Sequence, residues 1–243
     1  MFSINTKGLL DLKFEKDHKL YINDRVSHNV VFLNPHSYIG LKSKAVLQKL
    51  IDKKTKFYID GIGLQLMLAL FGHKKRRCTG FQFLKKNFNS YKKNLFIGGN
   101  IDVNYHGLLQ AGCERFDLNS NSVYVHSPPF DEKFDYKTIA EINIKIQELD
   151  PDAIWICVGA PKQEDLMLKI SPSPHTKVIA CVGAVIDDLA FPRQHPPKFI
   201  STIGFEWLYR LVANFRRTWK RILISLPMFI LVILFEYGVK KLK

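Results

Sequence analysis

An apolar run that turns into a polar helix constrains this chain more than any other stretch, and it occupies residues 154–165. Its first five residues, Ile-Trp-Ile-Cys-Val, are all apolar, as in a parallel strand that helices cover on both faces. Gly-Ala-Pro follows, and Pro161 suits the first turn of a helix, where its missing N–H is no loss. The pattern thereby predicts that a strand ends and a helix begins around Lys162, Gln163 and Glu164. Open α/β sheets bind phosphorylated ligands at such junctions.

Strand-like and helix-like segments alternate along the rest of the chain. Strands are predicted at residues 30–34, 57–59, 95–97, 123–126, 153–158 and 178–184. Helices are predicted at 37–51 and 136–149, although Ile142, Ile144 and Ile146 in the second segment also alternate as in a strand. The alternation favours an α/β fold in which helices cover both faces of a parallel, doubly wound sheet.

An acidic residue follows the predicted strand 57–59. Asp60 precedes Gly61 and Gly63, which permit a sharp turn with little bulk around the carboxylate. We therefore expect Asp60 in a loop at the carboxyl end of a strand, where a ligand has access. The alternative is an aspartate that caps the following helix, which is the more common role of an isolated aspartate in this position.

Three further predicted strands end at, or lead into, glycine, histidine or aspartate residues. Gly98 and Gly99 form a turn that resembles half of a phosphate-binding loop, without the GxGxxG pattern or the lysine–serine pair of a P-loop. His126 ends another predicted strand, and a packed or capping role is the ordinary one for such a histidine. The run 178–184 leads to the adjacent pair Asp187 and Asp188.

Charge narrows the class of partner. The formal net charge is +14, which favours an anionic partner: nucleic acid, anionic lipid or a phosphorylated substrate. The basic run at 74–77 is either a solvated face or a rim that attracts phosphate or lipid headgroups. The four cysteines have no metal-ligand spacing and predict buried thiols in a reducing, cytosolic compartment, and the amino terminus shows no signal peptide.

The composition changes after Phe191. A proline-rich linker at 192–197 leads into a basic tail, in which residues 222–235 carry no charge. This run is shorter than the ~18–20 residues that a membrane span needs, and Pro227 interrupts it. Flanking cations and aromatics favour a segment that lies in the membrane interface. A core helix, or a span that recruits flanking residues, stays possible.

Several motifs together resemble the WecG/TagA/CpsF family of bacterial glycosyltransferases (glycosyltransferase family 26). They are Asp-Gly-Ile-Gly at 60–63, Arg-Cys-Thr-Gly-Phe at 77–81, Ser-Pro-Pro-Phe at 127–130, Gly-Ala-Pro-Lys-Gln-Glu at 159–164 and Gly-Phe-Glu-Trp-Leu-Tyr-Arg at 204–210. The resemblance covers roughly residues 29–235 in the family's order.

The resemblance implies an enzyme that moves a sugar from a UDP-sugar to a polyprenyl-diphosphate-linked saccharide in surface polysaccharide synthesis. The sugar would be an N-acetylhexosamine, its uronate or a related hexose. The reaction would be inverting and metal-independent, with no cofactor. A Rossmann-like catalytic domain (1–191) would carry a helical, membrane-associating appendage (192–243). The enzyme would then work at the cytoplasmic face of the bacterial inner membrane as a peripheral or monotopic protein, and an exposed apolar tail would permit a homo-oligomer.

The resemblance also implies roles for individual residues. Asp60 would be the general base, and Arg77 would lie near the active site. Arg77 or a neighbouring cation, together with the helix start after Gly159, is then the candidate for stabilising the leaving diphosphate. Gln163 would lie in the donor pocket, and Asp187 would meet the uracil. The remaining expected binding residues are Asn34, Gly98, Gly99 and Lys162 for the substrates, and Arg210, Arg216, Arg217 and Arg221 for the lipid diphosphate or membrane surface.

Two other classes of protein remain as alternatives. A basic nucleic-acid-binding α/β module would use the positive surface, but the chain has no recognised DNA or RNA motif, and the charge concentrates beside an apolar block. A nicotinamide-dependent reductase is disfavoured because the GxGxxG pattern with an acid about twenty residues later is missing. We therefore expect no nucleic-acid partner.

Overall fold

The computed structural model describes residues 8–15, 27–43, 45–73, 75–100, 103–129, 134–191 and 224–241. Several features predicted from the sequence lie outside these ranges: the amino terminus, Phe130, the proline linker at 192–197, the motif at 204–210, and the cations Arg210, Arg216, Arg217 and Arg221.

Six strands form one parallel sheet. In chain order they are β1 (His28–Leu33), β2 (Lys56–Ile59), β3 (Asn94–Ile97), β4 (Val123–His126), β5 (Ala153–Ile156) and β6 (Val178–Cys181). Their order in space is β2-β1-β6-β5-β3-β4, and every neighbouring pair is parallel. The α/β fold with a parallel sheet is thus confirmed, and all six predicted strands are present.

Helices connect and cover the strands. They are α1 (Pro35–Ser43), α2 (Val46–Asp52), α3 (Ile62–Leu70), α4 (Gly80–Asn87), α5 (Tyr105–Arg115), α6 (Tyr136–Leu149), α7 (Lys162–Lys169), α8 (Val185–Ala190) and α9 (Ser225–Lys241). The helical interpretation of 136–149 is confirmed, and Asp135 caps it by accepting from the backbone N–H of Thr138 at 2.7 Å. The single helix predicted at 37–51 is two helices, because Ala45 has a φ of 55°, which a continuous right-handed helix cannot contain.

The direction of each connection decides which face its helix covers. Connections toward the β2 edge put α1, α2, α6 and α7 on one face, whereas those toward the β4 edge put α4 and α5 on the other, as right-handed crossovers require. The helix α3 is the exception, since it precedes α4 in the same connection and stays on the first face. Each face therefore has its own apolar core.

The two cores explain why the central strands are apolar apart from Asn94, at the start of β3. Every residue of β3, β5 and β6 is buried. Trp155 anchors the second core and donates its indole N–H to the buried Asn94 Oδ1 at 2.9 Å. Tyr38 of α1 and Ile142 of α6 belong to the first core.

The carboxyl-terminal helix α9 packs on the first face of the domain. Phe229 and Ile233 are fully buried, and the ring of Phe229 meets the ring of Tyr38 edge-on, with centroids 5.8 Å apart. One side of the described part of the apolar run, 224–235, is therefore part of the core, while its other side is exposed. Within the described ranges, no helix has the length and apolar character that crossing a bilayer requires. A domain boundary at 191/192 stays a prediction.

Candidate active site

The carboxyl ends of the six parallel strands meet at one edge of the sheet, and this edge collects the candidate residues. Along it, Asp60 follows β2, Asn34 follows β1, Gly183 follows β6, Gly159 follows β5 and Gly98 follows β3. The connections change direction between β5 and β3, where open α/β sheets leave a crevice for ligands.

Asp60 lies between β2 and α3. Its backbone N–H donates to the carbonyl oxygen of Leu33 at 2.7 Å, which ties it to the end of β1. The N-cap residue of α3 is Gly61, with a φ of 84°, and it has no side chain with which to cap the helix. Asp60 is therefore not the N-cap residue that the capping interpretation requires. Among the described residues, a Cβ added at Gly61 would meet no atom within 4 Å, so the space beside Asp60 is open on this side.

Arg77 reaches the same end of the sheet through a backbone contact. The N–H of Cys78 donates to the carbonyl oxygen of Ile59 at 2.8 Å, which joins the peptide unit 77–78 to the unit 59–60. Burial raises the pKa of the Cys78 thiol to about 12, against the opposing charge of Lys86, and the carboxylate of Asp60 adds to the rise. The structure thus places the backbone of Arg77 at the end of β2 beside Asp60, whose carboxylate lies close enough to affect the buried thiol; a role for the Arg77 side chain stays a prediction.

Asn34 has a structural contact that the sequence did not predict. Its Oδ1 accepts from the backbone N–H of Ser37 at 2.9 Å, while Ser37 Oγ accepts from the N–H of Asn34 at 2.9 Å. This reciprocal pair caps the amino end of α1. A contact between Asn34 and a substrate stays a prediction.

Gln163 is buried, and its amide binds the end of β6. Its Oε1 accepts from the N–H of Gly183 at 3.0 Å, and its Nε2 donates to Glu164 Oε1 at 2.8 Å and to the carbonyl oxygen of Cys181 at 3.4 Å. Both ends of the amide are thus engaged with protein atoms. Gln163 holds the turn after β6 against α7, and its direct contact with a sugar donor stays a prediction.

Glu164 is a buried acid whose environment sequence reasoning missed. The residue is fully buried, and its Oε2 has no hydrogen-bond partner among the described residues. Burial raises the pKa of its carboxyl group to about 7, while the hydrogen bond from Gln163 acts in the opposite direction. The three-residue spacing between Glu164 and the apolar Met167 could have indicated this burial, because such a spacing puts both side chains on the same side of α7.

Gly98 and Gly99 are required by close packing between β3 and its neighbours. A Cβ at Gly98 would lie 3.0 Å from the carbonyl carbon of Cys157, and one at Gly99 would lie 2.9 Å from the ring of Tyr105. The hydroxyl of Tyr105 donates to Asp187 Oδ1 at 2.9 Å. Tyr105, which the sequence analysis did not single out, thus links the glycine turn to the acid at the start of α8. Phosphate binding by the two glycines stays a prediction.

Lys162 begins α7 at the same edge. Its Nζ lies 5.5 Å from the centroid of the Phe134 ring, at cation–π distance. Pro161, predicted in the first turn, is instead the N-cap residue of α7, and the Ala160–Pro161 peptide bond is cis. The proline ring lies against α1, because a Cβ at Gly40 would be 3.4 Å from it.

The amino end of α9 also reaches this edge. Nδ1 of His36, in the first turn of α1, lies 2.9 Å from Ser225 Oγ. The side chain of Leu226 lies 3.9 Å from the position that a Cβ on Gly63 would take. The carboxyl-terminal helix therefore begins beside the loop that carries Asp60.

The candidate residues form two groups along the edge. Asp60 and Arg77 lie at the end of β2, whereas Gln163, Asp187 and the glycine turn lie at the ends of β6, β5 and β3. Neighbouring strands are about 4.8 Å apart, so β2 and β6 are roughly 10 Å apart. A small-molecule ligand can span that width. In the described part of the chain, no three His, Cys, Asp or Glu side chains are grouped as metal ligands would be.

The fold and this edge define a Rossmann-like α/β domain of the class that binds ligands outside the carboxyl ends of its strands. A profile of the glycosyl transferase WecG/TagA/CpsF family matches residues 14–242. The chain belongs to this family of glycosyltransferases, which confirms the resemblance of the sequence motifs.

Two relatives are similar to the chain over most of their length. An N-acetylglucosaminyldiphosphoundecaprenol N-acetyl-beta-D-mannosaminyltransferase of Bacillus subtilis (strain 168) is 25% identical over 229 residues, which are 92% of this chain and 85% of the relative. A UDP-Gal:alpha-D-GlcNAc-diphosphoundecaprenol beta-1,4-galactosyltransferase of Shigella boydii is 28% identical over 221 residues, 87% of this chain and 88% of the relative.

Proposed function

We propose that this protein transfers a hexose, N-acetylhexosamine or uronate unit from a UDP-sugar to a polyprenyl-diphosphate-linked saccharide, with inversion at the anomeric carbon. The observation that carries the proposal is the pair Asp60 and Arg77 at the carboxyl edge of the sheet in a chain of this glycosyltransferase family. The names of both relatives support it, since each acts on a diphosphoundecaprenol-linked sugar and one uses UDP-Gal.

In the proposed reaction Asp60 acts as the general base. It takes the proton from the acceptor hydroxyl as that oxygen forms a bond to the anomeric carbon. The bond from the anomeric carbon to the diphosphate oxygen breaks on the opposite face, and UDP leaves with the electron pair. Arg77 stabilises the charge that develops on the diphosphate. The open space beside Gly61 leaves room for an acceptor next to the carboxylate.

The second group of residues suits the donor. The turn after β6, held by Gln163, and the Tyr105–Asp187 hydrogen bond border the crevice between β5 and β3. We assign the nucleotide of the UDP-sugar to this half, with Lys162 at its rim; its near side, at the end of β6, is roughly 10 Å from the end of β2 that carries Asp60. The acceptor then approaches from the side of α3 and α9. We propose that the enzyme works as a peripheral protein at the cytoplasmic face of the membrane.

The Asp60→Asn variant tests the role of the base. A positioned general base contributes about 10²–10⁴-fold to a rate, so we expect kcat to fall by at least ~100-fold while UDP still raises the thermal unfolding midpoint. The assay uses a panel of UDP-sugars with a synthetic polyprenyl-diphosphate N-acetylglucosamine acceptor and detects the product by mass spectrometry. The product's anomeric configuration, read by NMR, tests inversion.

A matched variant separates this effect from a general loss of charge. Asp52 is an exposed aspartate that accepts from Gln48 Nε2 at 2.8 Å on α2. Asp52→Asn should leave both kcat and UDP binding unchanged. Native-like turnover in Asp60→Asn would remove Asp60 from the mechanism, and an absence of transfer from every UDP-sugar by the native protein would contradict the proposed donor.

A further inference from the structure

The outward side of α9 is as apolar as its buried side. Residues 225–235 carry no charge, yet Leu231 is 68% exposed, Phe235 56% and Leu234 53%. A helix that is apolar around its whole circumference is normally covered on every side, by protein or by lipid. Among the described residues, the domain buries the side that contains Phe229 and Ile233.

The helix α3 has the same property. None of its nine residues is charged, and most of them are apolar. Leu64 and Leu68 face the core, whereas Leu66 is 58% exposed and Leu70 is 80% exposed. This helix belongs to the Rossmann-like domain itself, and it begins two residues after Asp60.

The two helices lie side by side and run in the same direction. Near their amino ends, Leu226 is 3.9 Å from the position of a Cβ on Gly63. Near their carboxyl ends, the rings of Phe71 and Tyr237 have centroids 4.7 Å apart. The exposed leucines of α3 and the exposed face of α9 are therefore parts of one continuous apolar surface.

Charge at the border of this surface suits an anionic bilayer. Lys75 and Arg76 follow α3, and Lys241 lies in the last turn of α9. The acid of α9, Glu236, is turned away from this surface and toward α1. Cations beside an uncharged apolar surface are the pattern of a helix that lies in the interface of an anionic membrane.

Glu236 fixes the orientation of α9. Its Oε1 accepts from the hydroxyl of Tyr38 at 2.5 Å and pairs with the ammonium group of Lys42, and its Oε2 accepts from the N–H of Leu9 at 2.9 Å. These contacts hold one side of the helix against α1. The apolar side is consequently presented outward in the folded domain.

We propose that the outward faces of α3 and α9 form a single lipid-docking surface, which lays the Rossmann-like domain on an anionic bilayer with Asp60 at the border of the contact. In this arrangement α3 contacts the membrane in addition to the carboxyl-terminal segment. The arrangement rests on the proposed function, because a polyprenyl-linked acceptor stays in the bilayer and its first sugars must reach the base. A second copy of the chain is the competing occupant.

Vesicle co-sedimentation of the full-length protein tests the surface. The probe is a phosphatidylcholine vesicle with or without phosphatidylglycerol. Changing both Leu66 and Leu70 to glutamate should weaken partition into anionic vesicles by at least about tenfold, since each change replaces an apolar side chain that would enter the lipid with a charge that the anionic lipid repels. Ile144→Glu, at a position on α6 that is as exposed as Leu66 (58%), should change partition by less than about twofold.

A labelling experiment probes the same contact without a disruptive charge. The four native cysteines are buried, so Leu70→Cys provides a thiol that an environment-sensitive fluorophore can modify selectively. We expect its emission to shift to the blue on anionic vesicles and to be quenched by brominated lipid. The label on Ile144→Cys should show neither change.

The outcomes separate the possible occupants and the two proposals. Unchanged vesicle binding by the Leu66/Leu70 glutamate variant, or an unquenched label at position 70, would overturn the lipid-docking surface. A blue shift that depends on protein concentration and not on vesicles would assign the surface to a second copy and would equally overturn it. Asp60→Asn should bind vesicles like the native protein, so its loss of turnover tests the proposed reaction independently.

Discussion

Glu164 makes the stability of this fold depend on pH in a way that one substitution can isolate. Burial raises the pKa of its carboxyl group from an ordinary value of 4.5 to about 7. The unfolded chain releases this proton near pH 4.5, whereas the folded chain keeps it to about pH 7. The contribution of Glu164 to the free energy of unfolding is therefore complete at low pH and is lost as the pH rises through about 7.

The size of the effect follows from the difference between the two pKa values. Each unit is equivalent to about 1.4 kcal/mol, so the full contribution is on the order of 3 kcal/mol. About 2–3 kcal/mol of it falls between roughly pH 5 and pH 8. The substitution Glu164→Gln keeps the shape of the protonated acid but cannot ionise. We expect the variant to gain this amount of stability relative to the native protein over that pH interval.

Urea unfolding at a series of pH values, under reducing conditions, measures the difference. Burial holds the pKa of the neighbouring Cys181 thiol well above its ordinary value, so this group stays neutral throughout. Glu148→Gln is the control, because Glu148 is an exposed acid on α6, 3.5 Å from Lys145. Its curve should stay within about 0.5 kcal/mol of the native one. Parallel curves for native protein and Glu164→Gln would refute the reasoning.

Two further predictions concern packing and are measured by the same unfolding assay. Gly112→Ala should cost about 1–3 kcal/mol or more, because the added Cβ would lie 2.7 Å from the carbonyl carbon of Leu189. Gly107→Ala, on the same helix with open space around it, should be neutral or stabilising by up to ~1 kcal/mol; equal effects of the two would contradict the close helix contact. Asn94→Ala should cost about 1–3 kcal/mol, because the buried indole N–H of Trp155 loses its acceptor; a loss under ~1 kcal/mol would mean that the indole finds another partner.

The sequence determined the strands because their pattern is local. A parallel strand covered on both faces must be apolar along its whole length, and a glycine or polar residue marks its end. The run at 154–158 and the glycines after it therefore predicted β5 and its exit correctly. The break between α1 and α2 was missed, since the left-handed backbone of Ala45 has no glycine or proline to announce it.

The sequence also placed the candidate residues at strand ends, and hence at one edge of a parallel sheet. It could not predict which of their polar atoms the protein itself engages. Gln163 meets Gly183 only because β6 lies next to β5 in space. Tyr105 reaches Asp187 across 82 residues of sequence. Such contacts depend on the order of the strands, which long-range packing decides.

The carboxyl-terminal segment shows most clearly what the sequence determines and what tertiary structure determines. Its uncharged run could be read from the sequence, and so could its neighbouring cations. Which side of the helix faces the protein was decided by tertiary structure alone. A helix that is apolar all round has no preferred side of its own, so the side is selected by distant partners, with Tyr38 and Lys42 binding Glu236 and the core receiving Phe229.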